Sequence, residues 1–162
     1  MGVQFSFPYK LPPVSLLPPA ADAAGRTSAF RNLRNATKAW MLCRVNQGNA
    51  AQVSLTLQQA QDVSGTGAKA LSANVPIWLN DATATTDQLV AQAAAASFTP
   101  DATLADKMVI FEILPEACMD IANGYRTLAV VTGASNAANI TEATLILLTD
   151  YAGQNPPSTY SN

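Results

Sequence analysis

Apolar and polar residues alternate through QVSLTLQQA, residues 52–60, before the chain breaks into the small, glycine-bearing stretch QDVSGTGAKAL. Val53, Leu55 and Leu57 fall on one face of a strand, and Ser54, Thr56 and Gln58 on the other. The same style recurs. Residues 39–45 alternate Ala39, Met41, Cys43 and Val45 against Trp40, Leu42 and Arg44, and residues 107–114, 125–132 and 140–149 read as further strands. Asn46-Gln47-Gly48-Asn49 has turn chemistry, so 39–45 and 52–60 are expected to form a hairpin. Residues 27–33 supply a candidate first strand. Residues 70–79 supply another, whose Pro76 belongs on an edge or at a bulge and whose Trp78 is expected in the core. Pro115-Glu116-Ala117 predicts a helical turn with proline in its first position, and Asn123-Gly124 a turn. Residues 83–98 stay ambiguous, because the alanine run favours helix while the threonines favour strand or loop.

The two ends read differently. Five prolines in the first 25 residues (Pro8, Pro12, Pro13, Pro18, Pro19) remove backbone donors and favour an extended arm rather than a helix. The arm is apolar, with Phe5, Phe7, Tyr9, Leu11, Val14, Leu16 and Leu17, so it is expected to lie on something. Either it packs along its own domain or it latches onto a neighbouring subunit or partner. The polar, proline-bearing residues 153–162 read as a loose tail. The expected organisation is an arm (1–25), a single antiparallel β-sandwich of jelly-roll-like type (26–152) and a tail (153–162), an all-β fold with one buried face per sheet.

Composition narrows the chemistry. The 162 residues contain no histidine, and only 12% are charged, so the commonest general base and metal ligand is missing. Charge is segregated. Residues 1–50 carry Lys10, Arg26, Arg31, Arg34, Lys38 and Arg44 against Asp22 alone, a net +5, while the rest carries three bases and ten acids, a net −7. Such halves can attract each other within one molecule or between neighbours, or remain separately solvated. The basic residues are too sparse, and too far from aromatic platforms, for nucleic-acid binding. Cys43 and Cys118 sit among apolar neighbours as buried free thiols do, with a disulfide as the alternative. No signal-like opening and no apolar run of about 20 residues is present, so no membrane association is expected.

Gly65-Thr66-Gly67-Ala68-Lys69-Ala70 matches G-x-G-x-x-A, but that motif works only where it opens a helix, and Asn74 and Pro76 follow. The ten acids from Asp62 to Asp150 are placed at turns and strand ends rather than as a pair or metal cluster, and Ser nucleophiles lack a His base. Asn35-Ala-Thr37 and Asn139-Ile-Thr141 fit the glycosylation pattern, unsupported by any secretion signal. No enzymatic activity, cofactor, metal or small-molecule substrate is expected.

The order of segments carries a resemblance. QVSLTLQQAQDVSGTGAKAL, then IWLN with Thr86-Asp87, then MVIFEILPEACMDIANGYRTLAVVTGAS and ITEATLILLTDYAG resembles a family of small tailed-bacteriophage virion structural proteins, over roughly residues 27–152. The 58–69 turn and DIANGY, residues 120–125, are the most specific parts. The resemblance implies a β-sandwich head decoration or cement subunit on the capsid surface, made in the host cytoplasm. Its partners would be the major capsid protein and copies of itself, a homo-oligomer for which symmetry suggests a trimer at local threefold positions. Phe5, Phe7, Tyr9, Leu11, Leu16 and Leu17 are then the docking residues, with Arg26, Arg31 and Arg34 as electrostatic support. The alternatives are a head-to-tail or tail component, and a carbohydrate-binding module using Trp40, Trp78, Tyr125 or Tyr151, although those aromatics read as core.

Overall fold

Two antiparallel sheets enclose one apolar core in the computed structural model, which describes residues 6–149 and 157–162. The chain runs α1 (Phe7–Lys10), β1 (Pro13–Ala21), β2 (Arg26–Thr27), β3 (Arg31–Asn32), β4 (Ala36–Asn46), β5 (Leu55–Ala60), β6 (Lys69–Ala70), β7 (Val75–Asn80), β8 (Val90–Ala95), β9 (Ser97–Phe98), β10 (Asp106–Ile113), α2 (Pro115–Cys118), β11 (Thr127–Thr132) and β12 (Ile140–Thr149). The larger sheet is ordered β1-β12-β4-β10-β7-β8. The smaller is β2-β11-β5-β6, with β3 also on β11 and β9 on β5.

Alternation built these strands as expected. Met41, Cys43 and Val45 meet Leu145, Val109 and Phe111 on the inner face of the larger sheet, opposite Val53, Leu55, Leu57, Leu128 and Val130 of the smaller sheet and its approach. Both cysteines are free and buried, and burial raises the Cys43 thiol to about 12. Pro115 opens α2 at its first turn, and Gly124 takes the left-handed φ of 84° that the Asn-Gly turn requires.

Several expectations are corrected. β4 and β5 are not a hairpin: they lie in different sheets, because both turn an apolar face toward the shared core from opposite sides. The alanine run, left open between helix and strand, forms a strand, β8, and Pro76 sits at a register irregularity of β7, as expected of a proline at a bulge. Residues 6–25 pack along their own domain, the first of the two placements expected for the arm, and belong to the sandwich rather than to a separate segment. Residues 7–10 make one helical turn, and β1 is a sheet strand on β12. The tail is not loose at its end: Asn32 N–H donates to Thr159 O at 2.9 Å, and the Arg31 guanidinium stacks 3.7 Å from the Tyr160 ring centroid.

A buried carboxylate joins β1 to both sheets. Asp22, fully buried, accepts from the Thr132 hydroxyl at 2.7 Å, the Thr141 hydroxyl and Arg26 Nε at 3.1 Å. Arg26 Nη2 in turn donates to Thr141 O at 2.6 Å and Nη1 to Pro18 O at 2.8 Å. Gly25 makes the turn, with a φ of 72° and Thr132 O only 2.6 Å from where a Cβ would stand. Two strands along the inward row that pairs Thr141 with Val45 and Val45 with Lys107, the buried Lys107 ammonium donates to both the carbonyl (2.6 Å) and the carboxylate of Asp101. That contact, with the Thr103 backbone N–H second, holds Asp101 below the usual carboxylate range.

Replacing Asp22→Ala removes the carboxylate partner of a largely buried guanidinium and of two buried hydroxyls, so we expect a loss of about 3–5 kcal/mol in denaturant unfolding. Asp22→Asn, which keeps acceptor capacity, should lose less. Equal stability of Asp22→Ala and wild type would show that the junction does not hold the sheets together.

Candidate functional site

The residues expected to dock do not form one surface. Phe5 lies outside the described residues. Phe7 and Tyr9 are 46% and 47% exposed on α1, which packs on β12, and Leu11 is half-buried. Leu16 and Leu17, each 6% exposed, are corrected to core residues: as part of a paired strand they point into the sandwich. Arg26 is consumed by the Asp22 junction, and Arg31 lies under Tyr160 while donating to Phe30 O at 3.2 Å. Arg34 alone of the three arginines is exposed, beside a cleft it lines with Leu114 and Glu116.

The larger sheet presents a surface that the strand pattern hid. The residues opposite in parity to the core side chains form three cross-strand rows on its outer face. One runs Pro13, Ile146, Trp40, Glu112; the next Ser15, Thr144, Leu42, Ile110, Trp78, Ala91; the third Glu142, Arg44, Met108, Asn80. Trp40 and Trp78, expected in the core, are therefore outward and half-buried by their neighbours alone. With about 4.8 Å between strands, the middle row spans roughly 24 Å. An antiparallel sheet with one solvated face normally places polar residues there, so an apolar centre of Trp40, Leu42, Met108, Ile110, Trp78 and Ile146 is informative. The signal was present in the sequence, since residues 39–45, 107–114 and 140–149 are apolar at both parities.

Charges on this face are paired within it. Lys38 Nζ meets Glu112 at 2.9 Å and lies 5.1 Å from the Trp40 ring centroid, while Arg44 bridges Asp106 and Glu142, each at 3.3 Å. Basic residues of the first fifty thus meet acids of the remainder inside one molecule, across neighbouring strands. A face whose cations and anions already neutralise each other can be covered by an apolar partner without stranding a charge.

A second cluster unites the two sequence segments that carried the family resemblance. Lys69 Nζ meets Asp120 at 2.6 Å and sits 4.0 Å from the Tyr125 ring centroid, and the Gln61 side chain donates to Asn123 O at 3.2 Å. Gln59 is fully buried, and its side-chain oxygen accepts from Asp120 N–H at 2.7 Å. Gly67, at a φ of 66°, passes so close to the Tyr125 hydroxyl that a Cβ would stand 2.9 Å from it. The G-x-G-x-x-A stretch opens no helix; it ends in β6. Asp62 closes the turn, accepting from the Thr66 hydroxyl at 2.6 Å and from the N–H groups of Ser64 and Thr66, each at 3.0 Å. These contacts make a structural clasp between two loops.

The remaining aromatic candidates divide: Tyr125 belongs to this clasp, and Tyr151 lies outside the described residues. Among the described residues no group of three or more His, Cys, Asp or Glu side chains is placed to hold a metal ion. No family model, curated protein or solved structure matches this chain.

The clasp carries a pH dependence. The Lys69 contact lowers Asp120, the Thr66 contacts lower Asp62, and Asp120 raises Lys69. Both carboxylates therefore stabilise the folded clasp above their ordinary value of 3.8 and lose that contribution as pH falls through the lower folded values. Lys69 contributes below 10.5 and loses its contribution as pH rises through its higher folded value. Amide exchange, corrected for intrinsic rate, should show protection at Ser64, Thr66 and Asp120 dropping in acid before the β4 and β10 amides respond. Loss of protection in the clasp, β4 and β10 together would assign the acid response to global unfolding instead.

Proposed function

We propose that this chain is a non-enzymatic virion structural protein of a tailed bacteriophage, a head decoration or cement subunit that binds the outside of the capsid shell. The observation that carries the reading is the apolar outer face of the six-stranded sheet, with its charges already paired. The segment-by-segment resemblance supplies the biological setting, and the face supplies a means of attachment. A rigid sandwich that binds the assembled shell but not its free subunits stabilises the shell by mass action.

The size of the face shapes the proposal. A patch roughly 24 Å across the strands and about 20 Å along them covers on the order of 500 Å², less than the ~800 Å² per partner of a stable complex. Exposed Phe7 and Tyr9 on α1, beside β12, offer additional apolar contact. The docking surface thus keeps these two aromatics from the first segment and replaces Leu16, Leu17, Arg26 and Arg31 by Trp40, Leu42, Ile110, Trp78 and Ile146. A carbohydrate-binding role fits less well. Sugar hydroxyls need polar side chains beside the stacking aromatics, whereas Trp40 and Trp78 are bordered by Leu42, Ile110 and Met108, and the nearby charged groups are engaged with one another. A head-to-tail or tail location would use the same face in a ring of few copies.

Cosedimentation with heads lacking this protein tests the proposal. Removal of residues 1–25 would excise β1, so the informative variants are a truncation of residues 1–11 and the double substitution Leu42→Glu with Ile110→Glu. Wild type should bind saturably at many copies per head. The double variant should fold, by its thermal transition, and lose binding by about a hundredfold or more, the cost of burying two carboxylates without partners. The truncation should bind more weakly than wild type. Failure of wild type to bind heads, or full binding by the folded double variant, would overturn the assignment.

A further inference from the structure

All but one of the sheet edges among the described residues are proline-bearing, capped or very short. β1 carries Pro13, Pro18 and Pro19, which have no N–H to offer, and its ladder to β12 is broken by two register irregularities. β3 is capped by the C-terminal segment through Thr159 O and Ser161 O, which accept from the Asn32 backbone and side chain. β2, β6 and β9 are two residues long, too short to template a partner strand. β8 differs. It spans six residues, Val90–Ala95, with no proline, glycine or charge; its ladder to β7 has a single irregularity, at Ala93-Ala94 opposite Pro76, and no strand lies beyond it among the described residues. Val90 is 58% exposed, and its carbonyl accepts from the Gln92 side chain at 3.2 Å.

We infer that β8 is a self-association edge, which pairs antiparallel with β8 of a second copy about a twofold axis and joins the two larger sheets into one twelve-stranded sheet. The chemistry selects a copy of the same chain as occupant. About a twofold axis each residue faces the one equally far beyond the axis, so a charge close to the axis would meet its own copy, and VAQAAA has none to oppose. The nearest acid, Asp87, precedes the strand, and antiparallel pairing sends the two copies of it to opposite ends of the ribbon. Three of the four central side chains are alanine methyls, so the two backbones meet without large groups between them. Continuity points the same way. Ala91 lies in the cross-strand row of Trp78, Ile110 and Leu42, so pairing at β8 merges two apolar outer faces into one surface of twice the width. Backbone ladder bonds alone bury less area than a standard interface, so the free dimer is weak and is reinforced where two copies lie side by side on one support.

Single cysteines at positions 91, 92, 93 and 94 test the pairing in free protein, where the native Cys43 and Cys118 are buried. Antiparallel self-pairing puts residues near the axis within disulfide reach, so mild oxidation of concentrated protein should give dimer at one favoured β8 position. Its yield should exceed that of Ser15→Cys on the proline-bearing edge by about tenfold, with alternation between neighbouring positions. In sedimentation equilibrium, Ala93→Pro should weaken wild-type dimerisation about tenfold, by removing a donor and bending the edge. Comparable oxidation at Ser15 and every β8 site, dimerisation unaffected by Ala93→Pro, or a wild type monomeric at its solubility limit would each overturn the inference. Because no capsid is present, a negative result here leaves the docking proposal standing, and a failure to bind heads leaves this one standing.

Discussion

The fold depends on one buried negative charge. Asp22 lies where β1 leaves the larger sheet and β2 enters the smaller, and its carboxylate is held by one threonine from each: Thr141 on β12 and Thr132 on β11. A buried carboxylate costs several kcal/mol of desolvation unless its lone pairs are filled, and here two hydroxyls and a guanidinium fill them. Because those donors come from different sheets, satisfying the charge fixes how the sheets meet at that corner. Backbone bonds extend the junction: Asp22 N–H donates to Asn139 O, and Asp22 O accepts from Gly25 and Ser135. The arginine that sequence reasoning offered to a partner is thereby spent on the interior.

With the corner fixed, the larger sheet has both faces apolar, and this is where the sequence was legible in one respect and opaque in another. Alternation correctly marked β4, β5, β10, β11 and β12, because a period of two survives even when both parities are hydrophobic. It could not say which parity faces inward. At β4 the choice lay between Met41-Cys43-Val45 and Trp40-Leu42, and larger aromatics argue for the core on propensity alone. The structure chose the smaller set, which packs at close range against Val109 and Phe111 from β10 and Ala143 and Leu145 from β12. Tryptophan is rarely fully buried, so its presence opposite a run of small apolar residues is itself a sign of an outward position.

The errors at the ends of the chain have a common physical origin. Prolines and polar residues describe what a segment cannot do by itself, such as continue a helix or build a core. They do not describe what neighbouring strands offer it. β1 keeps its three prolines because an edge strand needs donors on one side only, and residues 157–162 gain order from a cation–π contact and the open edge of β3. The proposed hairpin between β4 and β5 failed for a related reason: turn residues such as Asn46 and Gly48 permit a reversal of direction, whereas burial decides whether the returning strand joins the same sheet or the facing one.

The charge pattern shows how a surface can be made ready for a partner without a motif to announce it. A net +5 in the first fifty residues and −7 in the rest left attraction within one molecule or between neighbours open, and strand order makes these pairs intramolecular: β4 contributes Lys38 and Arg44, and its neighbours β10 and β12 contribute Glu112, Asp106 and Glu142. Exposed pairs of this kind add about 0–1 kcal/mol each to folding, so stability is a weak reason for five charged groups to flank an apolar patch. Their consequence for association is larger. A partner covering Trp40, Leu42 and Ile110 desolvates groups whose opposite charges are already in place, and it need supply no complementary charge of its own. Such a face selects partners by shape and apolar area, as attachment to a repeating protein surface requires.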